Sequence, residues 1–178
     1  MLNTIIPGDH VLVQKFLGEP SRGDIVMYQH EKGKESYIAR IIGLPGETIQ
    51  VKGDSVYING SVLDEERVTV EDDTRSYDVL KEVSTKGKGP YRVFYSKPLF
   101  DDGDVEGRTD EFGTVTPFQI PDGNYFVLGD NRYNSYDSRY RGPIPRDLIW
   151  GKTSIIFYSL RMPSQDEVRW DRMFKKVQ

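Results

Sequence analysis

The sequence contains no cysteine and only two histidines among its 178 residues. The absence of cysteine excludes disulfide bonds and thiol catalysis. Neither His10 nor His30 is accompanied by a carboxylate at ligand spacing, which argues against a zinc site. We therefore expect no metal and no cofactor, and we interpret both histidines as structural residues.

Long apolar runs and basic stripes are also missing. No run of 18 apolar residues occurs, so we expect that the chain as given does not span a membrane. Its N-terminus has neither the basic start nor the apolar run of a signal peptide. These absences fit a cytosolic protein or one whose anchoring segment has been removed. The net charge is −4, and no stripe of Lys and Arg alternates with aromatic residues, so nucleic acid is not expected as a partner.

The sequence does contain many short apolar or alternating segments separated by turn residues. This pattern predicts an all-β chain. Asn59-Gly60 is the clearest turn, because both residue types tolerate the positive φ angles of a two-residue hairpin. One helical turn is predicted at 145–149, and no amphipathic helix longer than about three turns is indicated. The predicted strands are 10–16, 24–28, 36–42, 48–51, 55–58, 61–62, 125–128 and 152–160.

The segment 63–116 differs from the rest of the chain in charge and pattern. It carries acidic blocks, including 71–73 and 101–104, around weakly alternating pieces such as 91–95. We interpret it as a solvated β insertion rather than as core, so the predicted core consists of 1–62 and 117–178. The cluster at 101–106 lacks the alternating acids and the final Glu of a calcium-binding EF-hand loop, which favours a solvated turn.

The loop 129–145, GDNRYNSYDSRYRGPIP, has the densest group of reactive side chains. It carries Ser135, Asp137, a second serine and three arginines between two apolar segments, as is typical of a functional site. No histidine has a sequence reason to act as base for a serine here. The other route is a serine activated by a desolvated lysine amine. That route needs a lysine on a buried strand, and the strand 36–42 has none.

Four segments resemble, in order and spacing, the sequence boxes of type I signal peptidases. These membrane-anchored Ser-Lys endopeptidases remove signal peptides from exported proteins. The resemblance covers nearly the whole chain except 63–116, which is similar to the variable β region of the family. The four segments are 1–16 (MLNTIIPGDHVLVQKF), 22–26 (RGDIV), 37–47 (YIARIIGLPGE) and 129–145.

The resemblance implies a peptidase core of antiparallel sheets in a partly open barrel. It also implies a location at the extracytoplasmic face of the bacterial cytoplasmic membrane. The implied partners are signal peptides of pre-proteins, of the Ala-x-Ala type, and the membrane surface. An exposed apolar patch near 1–6, with Trp150 or Trp170 as interfacial anchors, would contact that surface. For either tryptophan a partly buried core position is the alternative.

Two departures from the family pattern concern catalysis. The nucleophilic serine of the family directly precedes the methionine that matches Met1, so we expect the chain as given to lack it. Ala39 stands where the family has its general-base lysine, and alanine has no proton acceptor. The oxyanion hole is expected to be incomplete too, because the family uses the N–H of that serine. We therefore predict that this chain has no peptidase activity.

Other residues receive roles from the resemblance. Ser135 matches a serine that orients the lysine amine, and Asp137 with Arg139 matches a supporting ion pair, with Asp130 as a second acid near it. Without the resemblance, Ser135 would be an ordinary turn hydroxyl, and Asp137 with Arg139 a surface ion pair worth at most ~1 kcal/mol.

Peptide binding is expected on the strand that carries Ala39. An extended peptide can add as a strand along Tyr37-Ile38-Ala39. Met1, Ile5 and Ile38 are the candidate walls of shallow apolar pockets. For Ile5 a simple core position is an equal alternative.

Three explanations of the missing catalytic pair remain open. The first is an engineered version of the enzyme, trimmed of its anchor and changed from lysine to alanine at residue 39. The second is a naturally inactive homologue that binds peptides or assists assembly at the membrane surface. The third is a soluble β-barrel module that binds a protein partner through the acidic insertion. The intact pattern around Ala39 and in 129–145 favours the first.

Overall fold

The computed structural model of the chain describes residues 1, 4–16, 18–63, 65–67, 77–85, 88–96, 112–162 and 167–177. The described residues form three antiparallel sheets and one α-helix of four residues, α1 (Ser138–Arg141). The all-β prediction is therefore confirmed. The strands are β1 (Asp9–Lys15), β2 (Ile25–Gln29), β3 (Ser36–Gly43), β4 (Thr48–Lys52), β5 (Ser55–Ile58), β6 (Ser61–Val62), β7 (Glu65–Arg67), β8 (Tyr77–Thr85), β9 (Lys88–Ser96), β10 (Phe118–Gln119), β11 (Asn124–Leu128), β12 (Ile144–Pro145), β13 (Ile149–Ser159) and β14 (Lys175–Lys176).

The largest sheet has the order β1-β13-β2-β3-β11-β12, and β14 pairs with β13. The other two sheets have the orders β10-β4-β5-β6 and β7-β8-β9. Asn59 and Gly60 connect β5 to β6 with φ angles of 52° and 79°. The predicted hairpin is therefore confirmed at this point. The helical turn predicted at 145–149 is a 3-10 helix at Arg146–Leu148.

Strands β3 and β11 separate two apolar clusters. Because side chains alternate along a strand, neighbouring residues of β11 enter different clusters, and all of 125–128 is buried. Each cluster is named after one of its members. The Ala39 cluster consists of Val26, Tyr28, Ala39, Ile41, Tyr125, Val127, Ile144 and Ile149. The Tyr91 cluster consists of Ile42, Ile49, Val56, Leu63, Tyr91, Val93, Tyr95, Ile120, Phe126 and Leu128.

Part of the predicted solvated insertion belongs to the core. Tyr91, Val93 and Tyr95 are buried, since alternation along β9 directs all three into the Tyr91 cluster. The expectation that 63–116 is solvated rather than core is wrong for these residues. The acidic blocks at 71–73 and 101–104 lie outside the described residues, and the boundaries of the insertion stay a prediction.

Within the described ranges, no helix has the length and apolar character needed to cross a membrane.

Candidate active site

Ala39 lies in the middle of β3 with its side chain 2% exposed. It shares a face of the strand with Tyr37 and Ile41, and its neighbours in the Ala39 cluster are apolar or aromatic. On the β2 side it is paired with Val26. The position is therefore one at which a charged side chain would lose nearly all of its hydration.

Gly129 directly follows β11, whose last residue pairs with the neighbour of Ala39. Leu128 is paired with Arg40 in antiparallel register, and Gly129 follows where that pairing ends. A Cβ atom added to Gly129 would overlap the Ser135 hydroxyl and lie 2.6 Å from its Cβ. Ser135 thus packs directly on the Gly129 backbone, just beyond the Leu128–Arg40 pair, and only glycine leaves room for it.

Asp137 connects this loop to helix α1. Its carboxylate accepts hydrogen bonds from the Gly129 N–H at 2.9 Å and from the Arg139 backbone N–H at 3.3 Å, so it also caps the helix. The Arg139 side chain donates to it through Nε and Nη2, both at 2.8 Å. A further bond runs from Arg139 Nη2 to the carbonyl oxygen of Arg132 at 2.6 Å. The ion pair is buried, not on the surface.

The electrostatics of Arg139 follow from that burial. Burial by itself lowers the pKa of the guanidinium, but the charge and hydrogen bonds of Asp137 outweigh it and raise the pKa overall. Arg139 therefore stays charged, and it holds the loop that carries Ser135.

Asp130 belongs to a second buried ion pair. Arg40 donates to it through Nε and Nη2, both at 2.8 Å, and both side chains are almost fully buried. Thr4 Oγ1 donates to the same carboxylate at 2.5 Å. The Phe94 N–H donates to the Asp130 backbone oxygen at 2.7 Å. Asp130 thus connects β3, β9 and the N-terminal loop, whereas Arg139 is bound by Asp137.

Arg40 and Thr4 were not among the predicted site residues. Arg40 also donates to the Gly23 carbonyl oxygen at 3.0 Å, and its guanidinium lies 3.8 Å from the centre of the Tyr91 ring. The signal in the sequence was an arginine inside an otherwise apolar strand, because such a charge must be paired when it is buried. Thr4 gave no comparable signal.

The N-terminal loop brings Met1 to the same region. The Met1 carbonyl oxygen accepts hydrogen bonds from the N–H groups of Thr4 and Ile5 at 3.1 and 2.9 Å. Burial lowers the pKa of the Met1 α-amino group, while the charges of Asp130 and Asp137 act in the opposite direction. Met1 therefore lies within electrostatic range of both carboxylates. The side chain of Ile5 is half-buried.

One half of β3 has an unpaired edge. Strand β2 pairs with all of Ser36–Arg40, whereas β11 pairs only with Arg40, Ile41 and Gly43. The Ile41 N–H donates to Asp24 on the β2 side, so the alternate residues Arg40 and Ile38 direct their backbone groups to the β11 side. No strand in the described part of the chain occupies that side of Ile38. The predicted peptide-binding edge, Tyr37-Ile38-Ala39, thus lies in the half of β3 that is paired with β2 but not with β11.

Both candidate membrane anchors are exposed. Trp150 and Trp170 are 55% and 75% exposed, so the partly buried core position is wrong for both.

His30 contacts the rings of Tyr28 and Tyr37, each with a centroid distance of 5.2 Å. Burial, with the charge of Arg141, lowers the pKa of His30 to about 4. Within the described residues, no three His, Asp or Glu side chains form a group suited to a metal ion.

Comparison with known proteins gives a consistent result. The sequence profile of the family described as "Signal peptidase, peptidase S26" matches residues 1–158. The chain is 37% identical over 145 residues to Signal peptidase I S of Bacillus subtilis (strain 168), a match that covers 81% of this chain and 62% of that protein. It is 36% identical over 162 residues to Signal peptidase I T of the same organism, covering 89% of this chain and 69% of that protein. The chain thus spans a little under two thirds of the length of the first of these relatives.

A relative of known structure was also found. The crystal structure of a signal peptidase I from Enterococcus faecalis V583 matches with a TM-score of 0.46 and 27% identity, over 77% of this chain and 98% of that one. The family assignment rests on the sequence matches, which cover most of the chain and include Ala39 and Gly129–Pro145. On this evidence the chain belongs to the peptidase S26 family of signal peptidases.

Proposed function

We propose that the chain is the peptidase domain of a type I signal peptidase, which removes signal peptides from exported pre-proteins, and that alanine at residue 39 makes this chain inactive. The observation that carries the proposal is that Ala39 is buried next to Arg40, whose partner Leu128 is followed by Gly129, on which Ser135 packs. In this proposal the chain binds a signal peptide and does not cleave it.

The environment of Ala39 is suited to a lysine general base. Burial among apolar side chains disfavours the charged form of an amine and lowers its pKa, so that it is neutral and able to accept a proton. The Ser135 hydroxyl is then available to hydrogen bond to the amine and orient it. An alanine at this position leaves Ser135 with no amine to orient.

The unpaired edge of β3 is the proposed peptide-binding site. The backbone of Ile38 has its N–H and carbonyl on the open side, so an extended peptide can continue the sheet where β11 has ended. Met1, Ile5 and the half-buried Ile38 are the proposed walls of shallow apolar pockets, which fit the small residues of an Ala-x-Ala motif. Tyr37 extends the same edge towards the β2–β3 hairpin.

The decisive experiment supplies both members of the catalytic pair that the family resemblance implies. The variant carries Ala39→Lys and a serine directly before Met1, and it is assayed for cleavage of a pre-protein with an Ala-x-Ala site. We expect cleavage with both changes and none with Ala39→Met plus the same serine, which has similar bulk but no amine. Cleavage should also fall when Ser135→Ala is added to the active variant.

A peptide-binding or assembly module is the second candidate, because the proposed edge does not depend on the lysine. It is favoured if the restored variant remains inactive while the unchanged chain binds an Ala-x-Ala peptide. Ile38→Asp is the control for binding, since a charge at the proposed pocket wall should abolish it. If no peptide binds, neither candidate holds.

Membrane contact is part of the proposal, at the extracytoplasmic face of the bacterial membrane. Trp170 and Phe174 are 75% and 74% exposed, and Lys175 and Lys176 next to them are exposed as well. The neighbouring Arg169 donates from Nη1 to the Pro7 carbonyl oxygen at 2.9 Å, so this surface adjoins the N-terminal loop. Exposed aromatics with basic neighbours favour an interface with anionic lipid.

A further inference from the structure

A cavity of about 320 Å³ lies at the β2–β3 hairpin, next to the unpaired edge of β3. It combines aromatic walls with two acidic and two basic side chains, and its residues come from the hairpin and from the end of α1. We call it the Arg141 cavity. Its lining residues are His30, Glu31, Lys34, Glu35, Tyr37 and Arg141.

Arg141 is held in place by aromatic rings. Its guanidinium lies 4.5 Å from the centre of the Tyr136 ring and 5.2 Å from that of Tyr37. Helix α1, which ends with Arg141, is attached to the sheet by a hydrogen bond from the Val127 N–H to Ser138 Oγ at 3.0 Å. Among the described residues, Arg141 has no acidic side chain within ion-pair distance. Its N–H donors are therefore oriented and available.

The cavity lies in the path of a peptide on the edge of β3. Tyr37 and Ala39 share one face of the strand, and two residues correspond to about 7 Å along it. A peptide that pairs with Ile38 must continue past Tyr37 in one direction. The peptide side chains on this face reach the cavity at positions two to four residues from the peptide residue opposite Ala39.

We propose that the Arg141 cavity is an additional subsite for the substrate peptide and binds the amide side chain of an Asn or Gln residue. This inference rests on the proposed peptide-binding function. Arg141 donates hydrogen bonds to the amide oxygen, and the planar amide group lies against the Tyr37 ring. The peptide residue in question lies two to four positions from the residue opposite Ala39.

The charges around the cavity favour an uncharged ligand. Glu31 and Glu35 balance Lys34 and Arg141, and His30 is neutral at pH 7 because burial lowers its pKa to about 4. A carboxylate would gain from Arg141 and Lys34 but would be repelled by the two glutamates, so its charge brings no net advantage. An amide supplies the acceptor that Arg141 needs without adding charge.

The test is peptide binding to the unchanged chain, which keeps Ala39 and so leaves the peptides intact. Two series of labelled Ala-x-Ala peptides place Gln, Glu or Ala two to four residues before or after the motif. Fluorescence anisotropy measures each Kd. We expect the Gln peptide of one series to bind about tenfold more tightly than its Ala counterpart, the size of one hydrogen bond to a charged group.

Arg141→Leu should abolish that preference for Gln and leave the Kd of the Ala peptide unchanged. Tyr136→Leu, at an exposed ring, should reduce the preference while the chain stays folded. Arg146→Leu is the matched control, because Arg146 also lies over a ring, that of Phe16 at 5.3 Å, but is paired with Glu19. It should leave the preference intact.

Three outcomes would overturn the subsite. One is equal binding of Gln and Ala peptides in both series, and another is a preference for Glu over Gln. The third is a Gln preference that survives Arg141→Leu. If even the Ala peptides fail to bind, the proposed peptide-binding function fails and the subsite fails with it. If the Ala peptides bind but Gln gives no advantage, only the subsite fails, so the two failures are distinguishable.

Discussion

Arg40 and Asp130 form a two-point ion pair inside the protein although 90 positions separate them in the sequence. Arg40 directly follows Ala39 on β3, and Asp130 directly follows Gly129 at the end of β11. The pair therefore holds the β3 backbone next to Ala39 at a fixed distance from the chain that follows β11. Thr4 extends the same connection to the N-terminal loop.

Asp130→Asn should lower the free energy of unfolding by about 3–5 kcal/mol, because it leaves the Arg40 guanidinium buried without a counter-charge. Urea denaturation measures the change. The control is Glu19→Gln, which removes the partner of Arg146 in a pair where the Glu19 side chain is 75% exposed. That loss should be about 0–1 kcal/mol. Equal losses in the two variants would contradict the structural role of Asp130.

Gly129→Ala should lower the free energy of unfolding by about 1–3 kcal/mol, because the new methyl group overlaps the Ser135 side chain. In the double variant Gly129→Ala/Ser135→Gly the overlap is removed, so most of the loss should be recovered. Gly18→Ala is the control, since a Cβ there meets nothing within 4 Å. A double variant whose loss equals the sum of the single losses would disprove the contact.

Ala39→Lys should give a lysine with a pKa well below the ordinary value of about 10.4, because the position is desolvated. The unfolded state then binds more protons than the folded state at pH values between the two pKa values. The free energy of unfolding should therefore rise with pH through that window. NMR titration of the side chain measures the pKa directly, with Gln14→Lys, at an exposed position of β1, as the control.

The stability of the unchanged chain should fall as the pH is lowered from 6.5 to about 4, because the pKa of His30 is lowered from 6.5 to about 4 on folding. In this window the unfolded chain binds the additional proton, so acid favours unfolding. Urea denaturation at pH 4, 5 and 7 should show a smaller pH dependence for His30→Phe. Asp9, whose pKa also lies below its ordinary value, is affected only below that window.

Trp170→Ser/Phe174→Ser should weaken binding to anionic vesicles, because it removes two exposed aromatic side chains beside the N-terminal loop. Co-sedimentation with vesicles of anionic and of neutral lipid measures the effect and its dependence on charge. Trp150→Ser tests the other candidate anchor, which is 55% exposed. Unchanged co-sedimentation of the double variant would count against this surface as the membrane contact.

The sequence predicted the features that depend on short-range patterns. Alternation and turn residues indicated β3, and the Asn59-Gly60 hairpin followed from the tolerance of both residues for positive φ. The apolar run 125–128 predicted a strand, and all four residues are buried in β11. The resemblance supplied Ala39 and Ser135 as site positions, and their roles stay predictions.

Long-range pairing could not be predicted in the same way. The partner of a buried charge depends on which strands are neighbours, so nothing local connects Arg40 with Asp130 or Thr4. Tyr91 was assigned to solvent because the surrounding sequence is acidic, yet its ring covers Arg40. No local pattern indicated the surroundings of His30, because they depend on its contact with Tyr37 across the hairpin.

The early end of β11 limits the length of peptide that could pair with β3 in the proposed binding mode. Because β11 stops pairing at Leu128, the open stretch of β3 is limited to Ser36–Ala39, about four residues at roughly 3.3 Å each. A longer β11 would fill this stretch and compete with a ligand for the same backbone groups. In the proposed binding mode, the point at which β11 leaves the sheet therefore sets where the peptide begins and how many of its residues can pair with β3.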